Sequence, residues 1–382
     1  MQPVVTPVPA LAIRPLRPVR HRRPRLFLFR AELLQTLSEG VYGHRHEHID
    51  VRKYNPHRER TTDMEHVFGN RHSRRTLFTA AGAVALGAAA APLAGPGSAL
   101  AQTGSPVGWA TQNGGTTGGS GGGTTTVTSA SAFASAVSGD ARKIVRVSGT
   151  IQISGMVRVG SNTTIVGNSG ATLTGGGLTL RTVSNVIIQN LRFRGYADDG
   201  INVEERSRNI WIDHNTFEPG TDGACDIKRE SDFITVSWNR FNGTDKTCLL
   251  GHSDSHTVDR GKLRVSYHHN YFNGTTQRTP RVRFAEPVHV YNNYYANVRS
   301  YCIATTMDAG VINEGNYFEN CNRTVDIGQG DSGPGRIVSR NNHVVNSPAP
   351  VSRGSVAGVP YGFQLDTPSQ VKSIVSGGAG AR

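Results

Sequence analysis

Residues 208–239 read RNIWIDHNTFEPGTDGACDIKRESDFITVSWN: two short β-branched and aromatic runs, each ending in an asparagine, with a Gly/Asp-rich stretch between them. The pattern recurs. Strand-like runs end at Asn168, Asn190, Asn215, Asn239, Asn270, Asn293 and Asn316, spaced by 22, 25, 24, 31, 23 and 23 residues. A period in the range of about 20 to 50 residues marks a solenoid, in which each repeat is one coil laid on the last. Asparagines stacked at one turn can hydrogen-bond along the axis, so they read as a structural ladder rather than as ligands.

Alternation within each run assigns its faces. Counting back from Asn215, the residues His214, Ile212 and Ile210 share one face; counting back from Asn239, Trp238, Val236 and Ile234 do. That face is expected to be the interior, which makes His214 a buried stacking residue and not a catalytic one. A helix is expected over Ser129–Val137 (SASAFASAV), where it would cap the first coil, and Trp109 in the preceding Gly/Thr/Ser-rich opening is expected to dock onto the body.

The chain has 382 residues and a net charge of +13. Ser73-Arg74-Arg75-Thr76-Leu77-Phe78, the short alanine-rich apolar run after it, and Ala99-Leu100-Ala101 read as a twin-arginine export signal cleaved near Ala101. The domains expected are a leader or miscalled start over 1–63, the signal over 64–101, and one β-solenoid domain over 102–382, secreted and without a membrane span. Residues 1–101 carry 15 Lys or Arg against 7 Asp or Glu, leaving 26 against 21, or +5, for the remainder. That modest field favours encounter with an acidic polymer. No Lys/Arg stripe interleaved with aromatics supports nucleic-acid binding. Cys225, Cys248, Cys302 and Cys321 allow three complete disulfide pairings in an exported chain, or buried free thiols; Cys225 and Cys248 are expected as stacked neighbours.

Chemistry-bearing residues recur at nearly one offset from the asparagines. Asp199 lies nine residues after Asn190, Asp222 seven after Asn215, Lys246 seven after Asn239 and Arg278 eight after Asn270. In Asp222-Gly-Ala-Cys-Asp226 a period of two turns Asp222, Ala224 and Asp226 outward, with Cys225 and Ile227 inward. Coils lie about 4.8 Å apart, which brings Asp199 near Asp222. Three carboxylates this close repel unless a cation joins them, and oxygen-only ligands favour calcium over a transition metal. Arg278 and Arg283 differ by an odd number, so a regular strand cannot present both, whereas an irregular turn at Pro280 can. Guanidinium forks hold carboxylates at two points. The groove therefore suits a polymer with a carboxylate on each unit.

At these residues the chain resembles the pectate lyases of polysaccharide lyase family 1, of the secreted actinobacterial type. The likeness rests on GWATQNGGTTGG, DGINV, WIDH, DGACDI, SDFITVSWNRF, DKTCLLGHSD, QRTPRVRF and MDAGVINEGNYFENC, and spans essentially all of 102–382. It implies an all-β, right-handed single-stranded parallel β-helix, and calcium-dependent cleavage of α-1,4-linked polygalacturonate by β-elimination. Carried over by motif, Asp199, Asp222 and Asp226 are the calcium ligands, Arg278 is the catalytic base, and Lys246 and Arg283 bind substrate. The expected partner is the pectate polymer, with no nucleic acid and no membrane, and the expected state is a monomer.

Elimination removes the C5 proton of a galacturonate while the C4 oxygen leaves, giving 4,5-unsaturated products. Arginine is protonated at ordinary pH; calcium, Lys246 and Arg283 nearby disfavour its charged form, and the anionic substrate opposes them. Three other readings compete. A pectin lyase acting on methyl esters needs no metal, a non-catalytic β-helix that binds wall polysaccharide needs no Arg278, and a glycoside hydrolase needs an acid/base carboxylate pair at about 5 to 9.5 Å.

Overall fold

The computed structural model describes residues 104–382, so the expected leader and export signal lie outside the described residues. Three parallel sheets of ten, nine and eight strands enclose one core. Successive strands of the chain pass from the ten-stranded to the nine-stranded to the eight-stranded sheet, and each pairs with its counterpart one coil away. Arg208–Asp213 lies beside Asp232–Ser237, with Ile210 opposite Ile234 and Ile212 opposite Val236. This is the expected parallel β-solenoid, and those four residues are fully buried in its interior.

Two ladders run along the inside. Backbone N–H groups of Asn215, Asn239, Asn270 and Asn293 donate to the side-chain oxygens of Asn239, Asn270, Asn293 and Asn316 at 2.9, 3.0, 2.9 and 2.7 Å. Asn342 accepts from Asn316 in the same way. Two residues after Asn215, Asn239, Asn270, Asn293 and Asn316, the rings of Phe217, Phe241, Phe272, Tyr295 and Phe318 stack in sequence, with Phe193 of the coil before joining them, at centroid separations of 4.7–5.0 Å. Each such pair contributes on the order of 1 kcal/mol beyond its buried area.

Two expectations are corrected here. Asn190 is not a ladder member: Leu191 occupies that position, its N–H donating to Asn215 at 3.1 Å. Asn190, His214 and Trp238 all have φ between 52° and 58° or, for His214, 50°. That left-handed residue at each turn steps out of the period of two, so the parity that correctly places Ile210, Ile212, Ile234 and Val236 inside does not extend to His214 or Trp238. His214 is buried, as expected, but on the outer side of the coil, stacked on Trp238, which stacks in turn on His269.

The N-terminal cap forms as expected. Helix α1 (Ala130–Val137) is capped by Ser129, which accepts from Ala132 N–H, and buries Phe133 and Val137 completely. Trp109 is 4% exposed and docks on the ten-stranded sheet, its backbone N–H donating to Ser266 and its indole to Pro287 O. Helix α2 (Val371–Gly378) packs on Tyr294 and Tyr317. All four cysteines are free and buried, and Cys225 stacks one coil below Cys248, since Ile227 pairs with Leu250. Among the described residues no helix is long and apolar enough to cross a membrane.

Candidate functional site

Four consecutive turns from the nine-stranded to the eight-stranded sheet carry the expected residues. Asp199 stands before Ile201–Glu204, Asp222 before Cys225–Ile227, Lys246 before Leu249–Leu250 and Arg278 before Arg281–Arg283. Asp226 and Arg283 follow on the strands themselves. Asp226 pairs with Asn202, and Leu249 with Arg281, so these outward residues form one row along the solenoid.

Asp198, Asp199 and Asp222 each offer a carboxylate oxygen, all within 4.8 Å of one another. Asp226 adjoins them. A methyl group built on Gly223 would meet Asp226 Oδ1 at 2.3 Å and Asp199 Oδ1 at 2.7 Å, so glycine leaves a carboxylate-lined hollow that no other residue would. Burial, then the charge of Asp199, push the Asp226 carboxyl up to about 7, against the pull of Lys228, Leu249 N–H and Arg278. Burial likewise raises Asp199, opposed by Lys228, whose ammonium lies 3.1 Å from Asp199 Oδ2. An oxygen-only group this crowded, held together by lysines, fits a hard divalent cation such as calcium.

The cations gather one and two coils further on. Lys246 pairs with Asp222 at 3.1 Å. Arg278 has φ 58° and is followed by a cis Thr279-Pro280 bond, the irregular turn expected at Pro280. Its Nε is buried without a hydrogen-bond partner. Arg283 donates from Nε to Asp254 at 2.6 Å, and its Nη1 is likewise buried without a partner. Buried guanidinium N–H groups with no acceptor are costly.

The sequence reading missed Asp198, Lys228, Arg281 and Asp254. Asp198 was visible as the first of the pair in Asp198-Asp199, and Lys228 and Arg281 by parity with Asp226 and Arg283. Asp254 had no such signal, because its reach depends on a loop. Ala224, expected outward, is fully buried in the core, since the strand begins only at Cys225.

A family model described as pectate lyase matches residues 85–381. Pectate lyase A of Emericella nidulans is 44% identical over 288 residues, 72% of this chain and 86% of that protein. A pectate lyase from Bacillus sp. N165, solved in complex with trigalacturonate, superposes with a TM-score of 0.66 at 30% identity, over 72% of this chain and 98% of that one. Pectate lyase II of Xanthomonas campestris superposes at 0.61 with 26% identity, over 72% and 98%. With a family model matching most of the chain and a relative 44% identical over 86% of its own length, the chain belongs to the pectate lyase family of polysaccharide lyases.

Proposed function

We propose that the chain is a secreted, calcium-dependent pectate lyase, exported through its twin-arginine signal and cleaving α-1,4-linked polygalacturonate by β-elimination to 4,5-unsaturated oligogalacturonides. The observation that carries this reading is the carboxylate group of Asp198, Asp199 and Asp222 two coils from a partnerless buried N–H on Arg278. Asp199, Asp222 and Asp226 would hold calcium, with Asp198 a fourth oxygen donor at the same place. The chemistry supplied by the bound ion is withdrawal of charge from a uronate carboxylate, which acidifies the adjacent C5–H. Lys246 and Arg283 bind carboxylates of the polymer and fix the sugar against Arg278. Arg278, acting in its neutral form, would take the C5 proton, the electron pair forms the C4=C5 double bond, the C4–O bond breaks, and the departing glycosidic oxygen takes a proton from solvent to become the new hydroxyl.

Incubation with polygalacturonate, with and without calcium, tests this reading. Ultraviolet-absorbing unsaturated product should form with calcium, stop in excess chelator and resume on adding calcium back, while circular dichroism stays unchanged because no core residue depends on the ion. Full activity in chelator would overturn the calcium assignment, and activity on methyl-esterified polymer alone would favour a pectin lyase.

A further inference from the structure

The gap of 31 residues between Asn239 and Asn270 exceeds every other spacing in the repeat. The excess lies in residues 251–263, between the strand Leu249–Leu250 and the strand Val265–His268. This loop is tied down at its far end. Buried Asp259 accepts from the N–H of Glu230 at 2.6 Å and of His252 at 3.2 Å, and Arg260 pairs with Asp308 at 2.9 Å while lying over the Phe284 ring. At its near end Gly251 has φ 99°, and a Cβ there would stand 2.7 Å from Cβ of Arg283. The loop thus leaves the solenoid flush against Arg283.

The loop carries Asp254 into the groove. Its Oδ1 accepts from Arg283 Nε at 2.6 Å and its Oδ2 from Ser332 Oγ at 2.7 Å. Ser332 Oγ in turn accepts from Arg281 Nη2 at 2.8 Å, and the same nitrogen reaches Gln329 O at 3.1 Å. One carboxylate therefore joins two arginines of one strand face to a loop three coils away. It engages only the Nε edge of Arg283, whose side chain keeps 11% of its surface exposed to the groove. A free arginine side chain carries about 2 kcal/mol of rotamer entropy, much of which is lost when it grips a ligand. A guanidinium already held at Nε meets a uronate carboxylate with its geometry set in advance.

We infer that Asp254, placed by the long loop and supported by Ser332, is a positioning residue that holds Arg283 ready for a carboxylate of the polymer. The inference rests on the reading of Arg283 as a substrate-binding cation. Its opposite is that Asp254 competes with the substrate for Arg283, in which case removing it tightens binding.

Steady-state kinetics on polygalacturonate with the calcium-saturated full chain separates these. Asp254→Ala should raise KM about tenfold with kcat within about threefold, and Asp254→Asn, which keeps an acceptor, should recover part of the loss. Ser332→Ala should shift KM the same way by less, with melting temperatures of all three near that of the parent. In the double variant with Arg283→Ala, Asp254→Ala should add nothing, because it acts only through Arg283. An unchanged or lowered KM in Asp254→Ala, or additive losses in the double variant, would overturn the inference. If Arg283→Ala alone leaves KM unmoved, the reading beneath it fails as well; if that variant raises KM and Asp254→Ala does not, only the positioning role is lost.

Discussion

The outer faces of the ten-stranded and eight-stranded sheets both present buried charged residues, but they treat them differently. On the ten-stranded sheet Asp213 is fully enclosed and fully partnered. It accepts from Ser237 Oγ at 2.6 Å and Gln189 Nε2 at 2.9 Å, and its Oδ2 lies 2.6 Å from His214 Nδ1. That face is clothed by the segment around Trp109 and by a C-terminal stretch whose Tyr361 reaches Ser266 and whose Asp366 reaches His269. On the eight-stranded sheet Arg278, Arg281 and Arg283 each keep a buried N–H without a partner. Partnerless atoms on the clothed face, such as Tyr291 Oη and His268 Nε2, carry no charge: burial, then His269 and His289, hold His268 well below its ordinary range. On these two faces, then, the WIDH motif closes its donors and acceptors on each other, whereas three arginines of one strand and its turn keep donors unmatched; Arg229 and Arg240 also keep a partnerless Nε, so the gathering of such donors, and not a single one, marks the groove.

The sharpest way to break this contrast is to change one residue on each face. Arg278→Lys removes a contact made in the transition state, so kcat should fall by a factor on the order of 10² to 10⁴ with KM little changed. Its melting temperature should stay near that of the parent, and a folded variant with near-normal kcat would remove Arg278 from the chemistry. Asp213→Ala should do the reverse. It leaves the donors of Ser237 and Gln189 and the His214 ring buried without their shared acceptor, a cost of about 3 kcal/mol. Denaturant titration should show that loss while kcat of the folded fraction holds; a large fall in kcat would bring the WIDH motif into the active site.

A smaller effect is expected at Arg283. Arg283→Lys keeps the charge but cannot reproduce both the Nε contact to Asp254 and a second point of attachment. KM should rise about tenfold, by more than kcat falls. The opposite split would give Arg283 a role in the proton transfer rather than in holding the polymer.

How far the sequence could be read differs between the same two faces. The groove was largely legible because the offset from the repeat asparagines is also the spacing of the coils, so Asp199, Asp222, Lys246 and Arg278 declared themselves neighbours. The aromatic ladder was equally open to reading, two residues after each asparagine from Asn215 to Asn316. The clothed face was not legible. Its left-handed turn residues, Asn190, His214 and Trp238, step out of the alternation that assigns inside and outside, and its cover comes from segments far along the chain, as in the bond from Trp109 N–H to Ser266 and that between Ser266 and Tyr361. Asp254 was hidden for the same reason: the period marks where a loop is inserted but not where its side chains land.

The smallest expected effect again separates the faces, through acid. Burial raises the Glu314 carboxyl, but hydrogen bonds from His289 and Arg340, with the charge of Arg340, outweigh it and hold the group below its usual 4.5. His289, 2.8 Å away, is lowered from 6.5 mainly by burial, against the raising effect of Glu314. Both shifts act in one direction. A carboxyl depressed by folding stabilises the fold above its unfolded value and loses that contribution as pH falls through the folded one, and a histidine kept neutral by burial opposes folding once the unfolded chain can take its proton, below about 6.5. Melting temperature should therefore decline below about pH 6.5 and again below 4.5. Glu314→Gln should melt lower than the parent at pH 7, and the gap should narrow as pH falls below 4.5, because only the parent has that carboxylate to lose. The groove takes no part, since neither residue touches it, so kcat of the variant at pH 7 should match the parent. Melting curves from pH 7 to 3 that stay parallel would show that the Glu314 ion pairs add no stability beyond what the neutral amide supplies.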